Sequence, residues 1–134
     1  MALFFYRMGH ILYRCHIPLA PKLLTIAGQL FFGSYVDYRA RIGKKTKIAY
    51  GGSGVVIHGS AIIGEYCLIS PGVVIGGRSG RTAPQIGDWV QIFSNASILG
   101  DVSVGDHTII GSNVVLTYSV PSNSRLVVHK PRHL

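Results

Sequence analysis

An aliphatic side chain recurs every six residues through most of this chain, and that period constrains the fold more tightly than any other property of the sequence. The series runs Val36, Ile42, Ile48, then Ile57, Ile63, Ile69, Ile75, then Ile86, Ile92, Ile98, Val104, Ile110 and Leu116. Four residues beyond each, wherever the series is unbroken, stands a second small side chain: Ala40, Thr46, Ala61, Cys67, Val73, Val90, Ala96, Val102, Thr108, Val114 and Val120. Gly follows the aliphatic position at 43, 64, 76, 87, 105 and 111, which predicts a corner whose backbone conformation is costly for residues that carry a side chain. Six residues with one inward aliphatic describe a short strand plus a corner, and such a unit cannot bury its face alone, so units must stack. Three units per coil give about 18 residues a turn, with coils spaced about 4.8 Å apart as hydrogen-bonded strands are. The prediction is an all-β solenoid, a parallel β-helix. An antiparallel sandwich would instead need alternation at period two and hairpin turn pairs.

The chain before this repeat follows a different pattern. Residues 1–33 read as a helical cap segment, with Leu3, Phe4, Met8, Ile11 and Leu12 spaced for one helix face and a break at Pro18 to Pro21. Residues 34–134 form the β-helix domain with a C-terminal tail. Arg7, Arg14 and Lys22 interrupt the apolar start before a membrane span accumulates, and neither a leading basic segment nor a small-residue cleavage site marks a signal peptide. The cap covers an edge that would otherwise offer unpaired backbone groups. Its basic and aromatic residues also suit peripheral contact with an anionic membrane.

The repeat slips twice, and in a solenoid such insertions become loops on one side, where function concentrates. Ile48 to Ile57 is nine positions rather than six, through Ala49-Tyr-Gly-Gly-Ser-Gly54, and Ile75 to Ile86 is eleven, through Gly76-Gly-Arg-Ser-Gly-Arg-Thr-Ala-Pro84. With the insertions removed, Val36, Ile57, Ile75, Ile98 and Leu116 fall on one face, so Asp37, His58, Gly76, Leu99 and Thr117 stack at one corner. A carboxylate, an imidazole and an arginine-bearing loop therefore converge.

Thirteen Lys+Arg against five Asp+Glu give a net charge of +8, which favours anionic partners. Nucleic acid is not indicated, because the aromatics Tyr6, Tyr13, Phe31 and Phe32 sit in the helical segment rather than among basic residues on a sheet face. Cys15 and Cys67 have no metal-ligand spacing and form no disulfide framework, which predicts a reducing, cytoplasmic setting, at most peripheral at the inner face of a membrane.

The run from Ile42 to Val120 resembles the left-handed parallel β-helix of the hexapeptide-repeat acyltransferases, and left-handedness and a trimeric assembly are what that resemblance implies. The segments Ala49-Tyr-Gly-Gly-Ser-Gly-Val-Val-Ile-His58 and Gly72-Val-Val-Ile-Gly-Gly-Arg-Ser-Gly80 are similar to bacterial sugar and polysaccharide O-acetyltransferases, related more distantly to serine acetyltransferases. The implied reaction moves an acetyl group from acetyl-CoA to a sugar hydroxyl. The alternatives are a serine acetyltransferase-like activity on a small molecule and a non-catalytic β-helix scaffold. The serine enzymes carry an Asp-His-Ala-Thr-Gly segment where this chain has Tyr50-Gly-Gly-Ser-Gly54, so Gly51 replaces their histidine; Ala83 before Pro84 replaces a second.

Acetyl transfer to an alcohol needs a group that takes the hydroxyl proton, and His58 is the candidate general base. Asp37 is the candidate carboxylate that orients its ring. Coenzyme A carries a pyrophosphate and a ribose phosphate, which makes Arg78, Arg81, Lys130 and Arg132 candidate cofactor contacts. By the resemblance Gly76, Gly77, Ala96 and Gly111 line the acetyl-CoA cleft, and the tail Val128-His-Lys-Pro-Arg132 departs from the family's Val-Gly-x-Pro-Ala. No metal is expected: the metal-dependent β-helix hydratases assemble three imidazoles, and this solenoid offers only His58 and His107 without a close partner.

Overall fold

The computed structural model describes residues 1–79, 82–129 and 133. From Tyr35 onward the chain winds as a left-handed parallel β-helix of about 4 turns, a prism with three sheets for faces. The first face stacks Tyr35–Val36, Val56–Ile57, Val74–Gly76, Ser97–Leu99 and Val115–Leu116. The second stacks Arg41–Ile42, Ile62–Ile63, Gln85–Ile86 and Ser103–Val104. The third stacks Lys47–Ile48, Leu68–Ile69, Gln91–Ile92, Ile109–Ile110 and Arg125–Leu126. All pairings are parallel, which disposes of a hairpin-built sandwich.

The register follows from the sixfold pattern. Val36 pairs with Ile57, Ile57 with Ile75, Ile75 with Ile98 and Ile98 with Leu116, so the five aliphatics form one inward column. Ile57, Ile75 and Ile98 are fully buried, and burying each such side chain contributes about 1.5–3 kcal/mol. The second small residues, from Ala40 to Val114, complete the interior.

Two expectations about corners change. The glycines directly after the aliphatic position do not have positive φ; the left-handed residues lie two further on, at Lys45, Tyr66, Gly72, Trp89, Asn95, His107, Asn113 and Asn123. What demands Gly there is contact between coils. A Cβ on Gly43 would sit 2.5 Å from the carbonyl of Gly64, and one on Gly64 would sit 2.5 Å from the oxygen of Gly87. The second change is a third slip, a deletion. Val120 bridges Val104 in the second-face column rather than filling the small-residue position, and Leu126 then pairs with Ile110. The step from Leu116 to Val120 is two residues short of six, hidden in the sequence because an aliphatic side chain stands where a small one was due.

Helices α1 (Ala2–Arg14) and α2 (Ala20–Phe32) pack on the first coil. Pro21 starts α2 well, since its fixed φ suits a first turn, and Gly33 ends it in the left-handed conformation at φ 60°. The buried face of α1 is Ala2, Tyr6 and Gly9, whereas Phe4, Met8 and Ile11 are exposed, contrary to the face read from apolar spacing. The reason is specific. The Tyr6 hydroxyl donates to the Ala40 oxygen at 2.7 Å and accepts from the Ile42 N–H at 3.2 Å, tying α1 to the first coil. His10 is half-buried, and its Nδ1 donates to the Tyr38 oxygen at 2.9 Å. No described helix is long and apolar enough to cross a membrane. Both cysteines are free; burial raises the Cys67 thiol above its ordinary range.

Candidate active site

Asp37 and His58 each follow the last residue of a first-face strand, so the sheet register sets one above the other. The Asp37 N–H donates to the Ile57 oxygen at 3.1 Å, and the His58 N–H donates to the Ile75 oxygen at 2.9 Å. Gly59 lies directly over the carboxyl group, where a Cβ would approach the Asp37 Cγ to 2.9 Å. Carboxylate and imidazole thus share one corner.

They do not hydrogen bond to each other. Asp37 is buried at 3% exposure and gives both oxygens to Arg39: Oδ1 accepts from the Arg39 backbone N–H at 2.9 Å and from Nε at 3.0 Å, and Oδ2 accepts from Nη2 at 2.7 Å. Burial alone would raise this carboxyl, but the Arg39 hydrogen bonds and charge, with a smaller effect from nearby His58, outweigh it and hold Asp37 below its ordinary range. His58 is half-buried, and its Nδ1 accepts from the Ser60 N–H at 3.1 Å. In the neutral ring the proton therefore sits on Nε2. Tyr35, two residues before Asp37, is also perturbed; burial and then the Asp37 charge raise its phenol.

Arg39, Ser60 and Tyr35 were not foreseen. The signal for Arg39 was present: an Asp two residues before an Arg in a corner closes a local turn in which side chain and backbone of the second residue both reach the carboxylate. The register count tracks which residues stack between coils, and it says nothing of bonds made within one turn.

The longer loop leaves the prism one coil above His58. Gly76 ends the strand there, half-buried against Leu99, and Gly77 is also half-buried. Arg78 is exposed, with its aliphatic stem over Gly100; a Cβ on Gly100 would lie 3.2 Å from the Arg78 Cβ, so this arginine leans toward the next coil. Two proposed cofactor contacts are placed elsewhere. Ala96 is fully buried in the prism interior and has no surface to offer a ligand. Gly111 follows a third-face strand, at a different corner from His58, and packs under Leu126 and Val127. Arg81, Lys130 and Arg132 lie outside the described residues. Among the described residues no group of three His, Cys, Asp or Glu side chains gathers as a metal site.

The bacterial transferase hexapeptide (six repeats) family matches residues 83–118. Those residues carry hexapeptide repeats, and the fold is a left-handed parallel β-helix. Hexapeptide-repeat relatives similar to it include the serine acetyltransferase of Synechococcus elongatus, 36% identical over 129 residues, covering 94% of this chain and 52% of that protein. A serine acetyltransferase of Staphylococcus aureus is 35% identical over 130 residues, covering 95% of this chain and 60% of the other. Among solved structures, Neisseria gonorrhoeae serine acetyltransferase in complex with serine superposes with a TM-score of 0.90 at 32% identity, over 97% of this chain and 55% of that one. Serine acetyltransferase isoform 3 of Entamoeba histolytica in complex with cysteine gives 0.90 at 27% identity, over 99% of this chain and 49% of that one. The chain thus spans 52% to 60% of the length of these two curated relatives.

Proposed function

We propose that this hexapeptide-repeat protein is an acetyl-CoA-dependent O-acetyltransferase of the serine acetyltransferase type, acting on the hydroxyl of a small acceptor with His58 as general base. The observation that carries the reading is the half-buried imidazole stacked over a buried carboxylate, beside the Gly-rich loop, in a fold superposing at 0.90 on a serine acetyltransferase. The acceptor oxygen attacks the thioester carbonyl while the imidazole takes its proton. Collapse of the tetrahedral species expels the coenzyme A thiolate, which receives that proton, leaving an acetate ester and a free thiol. The Gly77 backbone N–H, just past the strand, suits the developing oxyanion, and Arg78 suits a phosphate of the cofactor. Asp37 acts by position, holding Arg39 at the corner one coil below His58. Turning the ring off the Ser60 N–H lets the proton move to Nδ1 and frees Nε2 to act as base.

A sugar hydroxyl is the second acceptor reading, favoured by Gly51 and Ala83 standing where the serine enzymes carry histidines. A homotrimer would close the exposed side of this corner against water. The deciding experiment is release of free thiol from acetyl-CoA across L-serine, small polyols and oligosaccharides. Turnover is expected with a small acceptor and lost by about 10²–10⁴-fold in His58→Ala at unchanged circular dichroism. Wild-type turnover in that variant removes His58 from the mechanism, and no thiol release with any acceptor favours a scaffold.

A further inference from the structure

Beside this corner lies a hollow of about 430 Å³ walled by α1 on one side and the first coil on the other, lined by His10, Tyr13, Arg14, Arg39 and Arg41. Arg39 and Arg41 also line the adjoining groove, which continues along Gly59 and Ser60, the residues that follow His58. Three arginines therefore line one hollow, and two of them continue into the groove beside Gly59 and Ser60.

Their charge is poorly compensated. Among the described residues the one ion pair is Arg39 with Asp37, so Arg14 and Arg41 have no carboxylate partner there. The remaining acidic residues stand elsewhere: Glu65, Asp88 and Asp106 at the corner after the second face, and Asp101 on a higher coil. The outward neighbours of Arg41 along its sheet are Ile62, Gln85 and Ser103, none of them acidic. Arg39 is preorganised as well. Asp37 takes its Nε and Nη2, and its guanidinium stands 5.8 Å from the centre of the Tyr38 ring, which leaves Nη1 free on a side chain that is 56% exposed.

We propose that Arg14, Arg39 and Arg41 form a binding site for a phosphate group carried by the acceptor, so that the substrate class of this site is a hydroxyl-bearing phosphate ester. The inference rests on the acetyltransferase reading for the word acceptor, and on the arginines alone for the phosphate. A single carboxylate is satisfied by one guanidinium, as Asp37 is by Arg39. A phosphate dianion presents three oxygens to forked donors and suits three. An uncharged sugar hydroxyl gives these cations nothing to neutralise, and the ammonium of a zwitterionic acceptor would meet no free carboxylate in this hollow.

The test uses three probes that differ only in the anionic group: glycerol 3-phosphate, glycerate and glycerol, titrated by calorimetry or NMR without acetyl-CoA at fixed ionic strength. Glycerol 3-phosphate is expected to bind at least tenfold more tightly than glycerate, with glycerol not saturating. Arg14→Gln and Arg41→Gln each weaken the phosphate ester about tenfold, whereas Lys47→Gln, on the third face, leaves it unchanged. Circular dichroism and Tm show whether each variant is folded. Equal binding of the three probes, tighter binding of glycerate, or an equal loss in Lys47→Gln overturns the site. A protein that acetylates an acceptor yet fails these titrations loses the phosphate site and keeps the enzyme. One that passes them yet releases no thiol with any acceptor keeps the site and loses the enzymatic reading.

Discussion

The corner after the second face and the corner after the first are built from the same repeat and do opposite things with their polar groups. At the former, the Gly43, Gly64, Gly87 and Gly105 column brings the coils into backbone contact. Above it each polar group is handed to the neighbouring coil: the Asp88 Oδ1 accepts the Glu65 N–H at 2.8 Å, and the Asp106 Oδ1 accepts the Asp88 N–H at 2.7 Å. Outermost, Tyr66 stacks on Trp89 at 4.4 Å and 3°, and Trp89 on His107 at 6.3 Å and 7°. At the latter corner the column is Asp37, His58, Gly76, Leu99 and Thr117, with no repeating chemistry. There Asp37 bonds to Arg39 and His58 to Ser60, each within its own turn. Groups bonded from coil to coil hold the solenoid up, and groups bonded within a turn leave the outer surface to a ligand.

That contrast is open to attack from both corners. The largest effect is expected for His58→Ala, which costs acetyl transfer about 10²–10⁴-fold yet moves Tm little, since no other coil depends on that ring. The converse is Gly87→Val. Its side chain would overlap the Asp106 carboxylate and crowd the Val104 oxygen at 3.1 Å, so a loss of about 3 kcal/mol and a Tm lower by roughly 10 °C are expected. Thermal melting reads both, and a Gly87→Val protein as stable as the parent would show the glycine column to be incidental. Asp106→Ala is milder, removing one exposed acceptor and costing about 1 kcal/mol. Smallest is the acid response of Asp37. Its carboxyl is depressed in the fold, so its contribution is fully present above its ordinary pKa of 3.8 and is lost as pH falls through the lower folded value. The gap between melts of wild type and Asp37→Asn should therefore be full above about pH 4 and close progressively as pH falls below it through the lower folded value; a constant gap would remove the Arg39 pair as a source of stability.

Much of the architecture was legible because the interior is written in aliphatics at a fixed period. The first-face column from Val36 to Leu116 and the stacking of Asp37 under His58 both follow from counting. What escaped notice did so for local reasons. The shortened step to Val120 was masked by a valine that fitted either register. The helix face was misread because α1 docks through a tyrosine hydroxyl and a glycine rather than through its largest apolar side chains. Ala96 lies in the interior, and its smallness, which suggests a cleft, suits a tight interior as readily as a binding surface. The Arg39 clamp depends on side-chain torsions within a three-residue turn, to which periodicity is blind.

The ringed edge of the prism also has a bearing on durability. Lys45, Tyr66, Trp89 and His107 occupy one vertical line, all with φ between 57° and 62°, a conformation that disfavours most L-residues by about 1–2 kcal/mol. Asn, which tolerates it, already fills the same turn position at 95, 113 and 123. The molecule thus holds an untapped thermal reserve at Lys45, the rung outside the Tyr66–Trp89–His107 stack, set apart from the edge where His58 stands.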